Sequence, residues 1–389
     1  MGKDKEQKDS VFYRFSVKKS EECDISCRFA TGKKLCFYGI FGILKIRVLE
    51  KEPQKGGRNM DKKIIVALDA MGGDYAPVET VKGAVDAVKE LNVDIRLVGP
   101  EDVVKAELAK YQYDESRIEV VHAPSVIGTD EVPTMAIRRK KDSSLVVGLN
   151  LVKKGEADAF VSAGSTGAIL TGGLFIVGRL EGVERPALGT CLPNKKGFSF
   201  LIDSGANVDC KPQYLEQFAK MGSVYAENAL GMKNPTVALV NIGAEKEKGN
   251  ALTKETYELL EQAENINFIG NIEPRNIPFG EADVIVCDGF VGNTVLKLSE
   301  GMAKTMVDII KQEITKGAYK FAAAMLKKPF RNVKNFLDAD EVGGAPFIGL
   351  KSLVVKAHGS SNAKAIKNAV RQCVVFTDAD IIGKIKDKL

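Results

Sequence analysis

No run of apolar residues in this 389-residue chain approaches the ~18–20 needed to span a bilayer. The longest apolar block near the N-terminus, 35–49, is cut by Lys45 and Arg47 and begins too far in for a secretory signal. Cysteine is sparse, seven residues with no Cys-x-x-Cys pair, and Cys23 and Cys27 have no second pair to complete a zinc site. Free thiols in a reducing cytoplasm are expected. Histidine is rarer still, at two residues. No Gly-x-Gly-x-x-Gly follows a strand, which removes the usual signature of a dinucleotide-binding dehydrogenase. No Gly-x-Ser-x-Gly elbow and no convincing Cys–His pair supply a covalent nucleophile. Net charge is also lacking where it would matter. Residues 1–59 carry 14 basic and 8 acidic side chains, the remainder 42 and 43, so the main body gives a nucleic-acid role no support.

Residues 1–59 differ from the rest in charge and cysteine content and show no sustained period. They read as an N-terminal extension, poorly ordered or reached from a start upstream of a functional Met60, with the working domain over 60–389. From Lys63 onward short apolar runs alternate with helical patterns. The expected strands are 64–68, 95–98, 118–121, 159–162, 199–202, 236–240, 267–269, 284–287 and 353–356, and their uninterrupted apolar character predicts burial on both faces. Val81, Ala84, Val85 and Val88 mark one intervening helix, and Leu215, Phe218, Ala219 and Gly222 another. Such alternation argues an open, doubly wound α/β sheet, whose sites lie where strands end.

Six of those ends are rich in Gly with Asp, Asn, Ser, Lys or His. They are Asp69-Ala-Met-Gly72-Gly73-Asp74, Ser162-Ala-Gly164-Ser165-Thr166-Gly167, Asp203-Ser-Gly-Ala-Asn207, the loop 241–250, Asp288-Gly-Phe-Val-Gly-Asn293 and Lys356-Ala-His358-Gly-Ser-Ser-Asn362. One would be ordinary turn chemistry; six predict a shared polar cleft. Gly164–Gly167 begins a helix, where free amides and the Ser165 and Thr166 hydroxyls suit an oxyanion. Lys248 lies in a polar loop between strand and helix and can add a compact positive charge. Asn293 begins a helix and is either an N-cap or an amide donor. His358 leaves a strand and can donate to phosphate or protonate a leaving group. His122 reads as structural, and Cys287 as a buried thiol. Asp69, Asp74, Asp203 and Asp288 orient donors or shape turns. No metal and no cofactor are expected.

Taken together and in order, these loops resemble the PlsX family, the phosphate acyltransferases of bacterial phospholipid synthesis, over about 63–384. The resemblance implies a fold similar to isocitrate and isopropylmalate dehydrogenases and to phosphotransacetylase, and a homodimer. It implies transfer of a long-chain acyl group from acyl-carrier protein to inorganic phosphate. The acyl phosphate product would then serve a membrane glycerol-phosphate acyltransferase. The site implied comprises Lys248, Asn293 and His358, with Asp69, Gly72, Gly73, Asp74, Gly164–Gly167, Asn207 and Asp288 around the substrates. The segment 293–337 is expected to form a protruding helical hairpin. Apolar Leu298, Met302, Met306, Ile309 and Ile310 lie on its first helix, and Lys316, Lys327, Lys328, Arg331 and Lys334 toward its tip. That mixture suits dimerisation, docking of an acidic carrier protein, or contact with the inner face of the cell membrane. A phosphotransacetylase acting on acyl-CoA and a non-catalytic scaffold for carrier protein and membrane are the alternatives.

Overall fold

The computed structural model describes residues 26–28, 34–36, 63–316, 319–337 and 343–388. The expected N-terminal extension otherwise lies outside the described residues, as do Gly317 and the side chains of 320–325. Two units separate, Met1–Lys51 and Glu52–Leu389. In the first, β1 (Ser26–Arg28) pairs antiparallel with β2 (Lys34–Cys36).

The second unit runs β3 (Ile64–Asp69), α1 (Val78–Glu90), β4 (Val93–Gly99), α2 (Glu101–Leu108), β5 (Ile118–His122), α3 (Pro133–Arg139), α4 (Ser144–Lys153), β6 (Ala159–Ser162) and α5 (Thr166–Gly172). It continues with β7 (Ala187–Asn194), β8 (Gly197–Ile202), α6 (Pro212–Asn228), β9 (Thr236–Val240), α7 (Ala251–Gln262), β10 (Asn267–Ile272) and β11 (Val284–Val286). The last elements are α8 (Gly289–Ile314), α9 (Tyr319–Leu337), β12 (Ala345–Ile348), β13 (Leu353–Lys356), α10 (Ala363–Asp378) and α11 (Ile381–Lys388). One 11-stranded sheet has the order β10-β9-β11-β8-β7-β12-β13-β6-β3-β4-β5.

Successive residues of a strand point to opposite faces, and here both faces are covered. Val66, Leu68, Leu353, Val355, Val284 and Val286 join one core with α1, α6 and α10. Ala67 and Val354 point the other way, into a second core with α3, α4 and α5. Ile285 faces a third beneath Val291 and Val295 of α8. This two-sided burial explains the continuous apolar runs, each fully buried Val, Leu or Ile stabilising by about 1.5–3 kcal/mol.

All nine expected strands are present. The 11-stranded sheet holds two more, β7 and β12, which the sequence does not announce because Gly189, Pro193 and Pro346 weaken the strand signal. The prolines are tolerated because β12 pairs with β7 only through Phe347–Leu188 and Ile348–Ala187. Pro193 and Pro346 therefore sit where their strand has one neighbour rather than two.

These two strands govern where the site can be. β7 is antiparallel to β8, and β12 to both β7 and β13, so the two parallel halves of the sheet run in opposite directions. Their carboxyl ends would be far apart if the central strands were long. Instead, Val354, Phe347 and Leu188 share a row, and the Leu188 amide donates to the Asp203 carboxylate just past the end of β8. The end of β13 is then only two residues from that row, roughly 7 Å along the strands and 14 Å across three strand spacings. Opposed strand ends therefore lie within reach of one cleft.

Helix α8 spans the gap. It starts at Gly289, four residues before the expected hairpin, because Asp288 caps it by accepting from the Val291 amide at 2.8 Å. Only Gly289 and Gly292 of α8 are buried. Leu298, Met302, Met306 and Ile309 are each more than half exposed. Among the described residues no helix is long and apolar enough to cross a membrane.

Candidate active site

Asp69 ends β3 and organises the first wall. Its buried carboxylate accepts from the Ser162 hydroxyl at 2.7 Å and the Met71 amide at 3.1 Å. Burial pushes its carboxyl up, opposed by hydrogen bonds from Ser144, Ser162, Met71 and Gly72. Only glycine fits next. A Cβ at Gly72 would lie 2.8 Å from Asp69 Oδ2, the Gly164 nitrogen and Ser162 Oγ, and Gly73 has φ of +102°. The Asp74 amide then donates to the Gly359 carbonyl at 2.8 Å, joining the β3 and β13 loops.

The Ser162 turn lies between them. β6 is paired with β3 on one side and β13 on the other, with Ser162 level with Lys356. The Ala357 amide donates to the Ser162 carbonyl at 2.9 Å. Of the expected phosphate-facing amides, that of Gly164 is already engaged, donating to Ser162 Oγ at 3.0 Å. Ser165 is the N-cap of α5 and makes no side-chain cap bond. The Ser165 and Thr166 hydroxyls have no partner among the described residues, and the Thr166 and Gly167 amides lie in the helix's first turn.

The loop after β13 carries the positive charge. His358 Nδ1 lies 2.8 Å from Ser360 Oγ, and its Nε2 lies 3.3 Å from Lys297 Nζ. The Ser360 amide also donates to Nδ1 at 3.3 Å, so the loop orients the ring through Nδ1 and leaves Nε2 facing Lys297. Lys356 bends back to donate to the Ala357 carbonyl. Burial first, then the Lys297 charge, push its ammonium down to about 8, with Asp74 pulling the other way. Neither Lys297 nor Lys356 was singled out from sequence. Lys297 lies four residues beyond Asn293, on the same helix face; that spacing was the available signal.

The second wall is built around Asp203. It accepts from the Leu188, Gly205, Ala206 and Asn207 amides at 2.6–3.1 Å and from Asn207 Nδ2 at 2.8 Å. Asn207 Nδ2 also donates to the Pro186 carbonyl at 2.8 Å. Its side-chain donors thus hold the loop, and Asp288 is occupied as the α8 cap. Asp203→Asn would turn an NH₂ group toward some of these N–H donors. It is expected to cost about 2–4 kcal/mol in urea unfolding.

Asn293 differs from its expected position: it is inside α8 rather than at its start. A Cβ on Gly205 would sit 3.4 Å from its Cβ, so its exposed side chain lies against the Asp203 loop. Asn293 and Lys297 together bridge the two walls, toward Gly205 and His358 respectively. Lys248 lies apart on the loop after β9. β9 and β11 pair in register, and two residues beyond the paired ends Asn241 falls level with Asp288. Among the described residues no hydrogen bond or ion pair engages its exposed ammonium. His122 Nδ1 accepts from the Glu101 amide at α2. Cys287 is buried, and burial with the Asp203 and Asp288 charges pushes its thiol well up, away from a nucleophile's range.

Residues 64–384 match the family described as fatty acid synthesis protein. A phosphate acyltransferase of Clostridium kluyveri is 52% identical over 324 residues, covering 83% of this chain and 97% of that relative. One of Clostridium tetani is 53% identical over 327 residues, covering 83% and 97%. Among solved structures, a phosphotransacetylase from Streptococcus pyogenes aligns with a TM-score of 0.56 at 18% identity, covering 83% of this chain and 95% of that one. EutD phosphotransacetylase from Staphylococcus aureus aligns at 0.52 and 20% identity, covering 82% and 94%. The structural likeness concerns the fold alone, a large, mostly parallel sheet with helices on both faces. The sequence likeness runs through every loop that forms the cleft, and the chain belongs to the phosphate acyltransferase family of fatty acid synthesis proteins and is an acyltransferase.

Proposed function

We propose that this acyltransferase moves a long-chain fatty acyl group from the thioester of acyl-carrier protein to inorganic phosphate, releasing acyl phosphate for glycerophospholipid synthesis. The observation that carries the reading is the bridge made by α8, which brings an amide donor, Asn293, and a cation–imidazole pair, Lys297–His358, to one cleft.

Phosphate is partly ionised near neutral pH and is nucleophilic once held close, so no acyl-enzyme is needed. A phosphate oxygen bonds to the acyl carbon, the carbonyl oxygen takes up charge beside Asn293, and the C–S bond breaks to release the carrier thiolate. The Lys297–His358 pair passes a proton to that sulfur and regains one from solvent. The free donors of Ser165, Thr166 and Gly167 face phosphate, with Lys248 contributing from the opposite rim. Asp69, Gly72, Gly73, Asp74, Gly164, Asn207 and Asp288 shape the walls around them. No metal and no cofactor take part.

Carrier protein is favoured as donor by the hairpin, whose exposed Lys316, Lys327, Lys328, Arg331 and Lys334 complement an acidic partner. The apolar row of α8 serves a homodimer, and the hairpin tip touches the cytoplasmic face of the membrane. There acyl phosphate passes to a membrane glycerol-phosphate acyltransferase. The phosphotransacetylase fold favours a second reading, an acyl-CoA donor. Comparing palmitoyl-acyl-carrier protein with palmitoyl-CoA separates the two. The carrier-bound donor is expected to show at least a roughly tenfold higher kcat/KM, shrinking as salt rises. Equal values at all salt concentrations would favour the CoA reading.

A further inference from the structure

We infer that Lys297 and Lys356 form a two-cation oxyanion subsite that holds the phosphate nucleophile, beside the Ser162 turn. This assignment rests on the proposed transfer to phosphate and names the groups that bind it.

The two ammonium groups approach the same loop from different elements, Lys297 from α8 and Lys356 from the end of β13. Lys297 is tied to His358 at 3.3 Å and to Glu300 at 3.4 Å, the latter an exposed pair of small energetic weight. Lys356 has no carboxylate within ion-pair distance among the described residues; its donated bond goes to the Ala357 carbonyl. The charged groups that act on it are Lys297, which repels, and Asp74, which attracts from further away. A largely buried cation without a contacting anion, facing a second cation, is costly unless a ligand completes it. The ligand must be anionic, and a dianion matches two cations. The same turn holds one further unmet donor: the buried Ser361 hydroxyl has no hydrogen-bond partner. Lys356 is level with Ser162 in the sheet, so an anion held here lies beside the turn that leads into Ser165 and Thr166.

The test uses inorganic phosphate as probe, with the full chain as wild type, Lys297→Met and Lys356→Met. Phosphate binding without donor is followed by calorimetry, and KM is measured for each substrate separately. Each variant is expected to weaken phosphate binding about 10- to 100-fold while the KM for palmitoyl-acyl-carrier protein stays within about threefold. Lys297 is exposed, so its substitution leaves the fold intact and keeps the test meaningful if Lys356→Met misfolds. Phosphate affinity within twofold of wild type in the folded variants overturns the subsite while leaving acyl transfer to phosphate standing. A wild type that neither binds phosphate nor makes acyl phosphate overturns both.

Discussion

Lys356→Met is expected to stabilise the ligand-free enzyme while it damages phosphate use. The wild-type ammonium titrates at about 8 in the folded protein against 10.5 in a free side chain. At neutral pH both states are protonated, and the folded state bears the full cost of the poorly solvated charge. A lowering of that size corresponds to something on the order of 3 kcal/mol. Between pH 8 and 10.5 the unfolded chain binds more protons than the folded one, so wild-type stability rises with pH across that window from this group. Methionine removes the charge and keeps the length. Its advantage in chemical denaturation should therefore be largest at pH 7, up to about 3 kcal/mol, and should shrink toward pH 10.5. Phosphate should narrow the gap by stabilising wild type alone. A variant less stable than wild type at pH 7 and unchanged by pH would show that Lys356 is a structural cation.

Gly292→Ala is expected to have the larger effect on structure. A Cβ there would lie 1.9 Å from the Asp203 carbonyl oxygen and 3.0 Å from Cys287 Sγ. Neither neighbour can yield easily. The Asp203 amide donates to the Cys287 carbonyl at 3.0 Å, the Cys287 amide to Ile202 at 3.0 Å, and the Asp203 carboxylate is fixed by its donors. The helix must lift instead, and its fully buried residues are Gly289 and Gly292, with Val291, Val295 and Leu296 only partly buried against the core. A loss of roughly 2–4 kcal/mol follows from overpacking against backbone. Activity per folded molecule should fall at least about 100-fold, because Asn293 and Lys297 move with the helix. Gly301→Ala on the same helix is the control. Nothing lies within 4 Å of its Cβ position, so it should gain up to about 1 kcal/mol of helix stability. Unfolding midpoints and acyl phosphate formation read both variants; a Gly292→Ala enzyme as stable and active as wild type would remove α8 docking from the account.

Much of this arrangement was legible in the sequence because strands buried on both faces announce themselves as unbroken apolar runs. Their direction does not, so the reversal between the halves of the sheet was invisible. It is caused by β7 and β12, short strands whose glycine and prolines mask them. The glycine-rich strand ends were legible as loops. Which of their donors remain free was not: Gly164 and Asn207 look available in sequence, yet Ser162, Asp203 and Pro186 engage them. Asn293 follows Gly292 and reads as a helix start; the Asp288 cap moves the start upstream. Lys356 was legible only as part of a motif, since burial and a neighbouring cation are tertiary facts. Lys297, one turn past Asn293 in an amphipathic pattern, has nothing in the sequence to separate it from an ordinary solvated lysine.

The most direct test incubates the enzyme with palmitoyl-acyl-carrier protein, with and without inorganic phosphate, and follows free thiol while hydroxylamine traps acyl phosphate. Thiol release that requires phosphate, with an equal amount of palmitoyl hydroxamate formed only when enzyme and phosphate are both present, is the predicted result. Thiol release at the same rate without phosphate, or none under either condition, would contradict phosphate as the acyl acceptor.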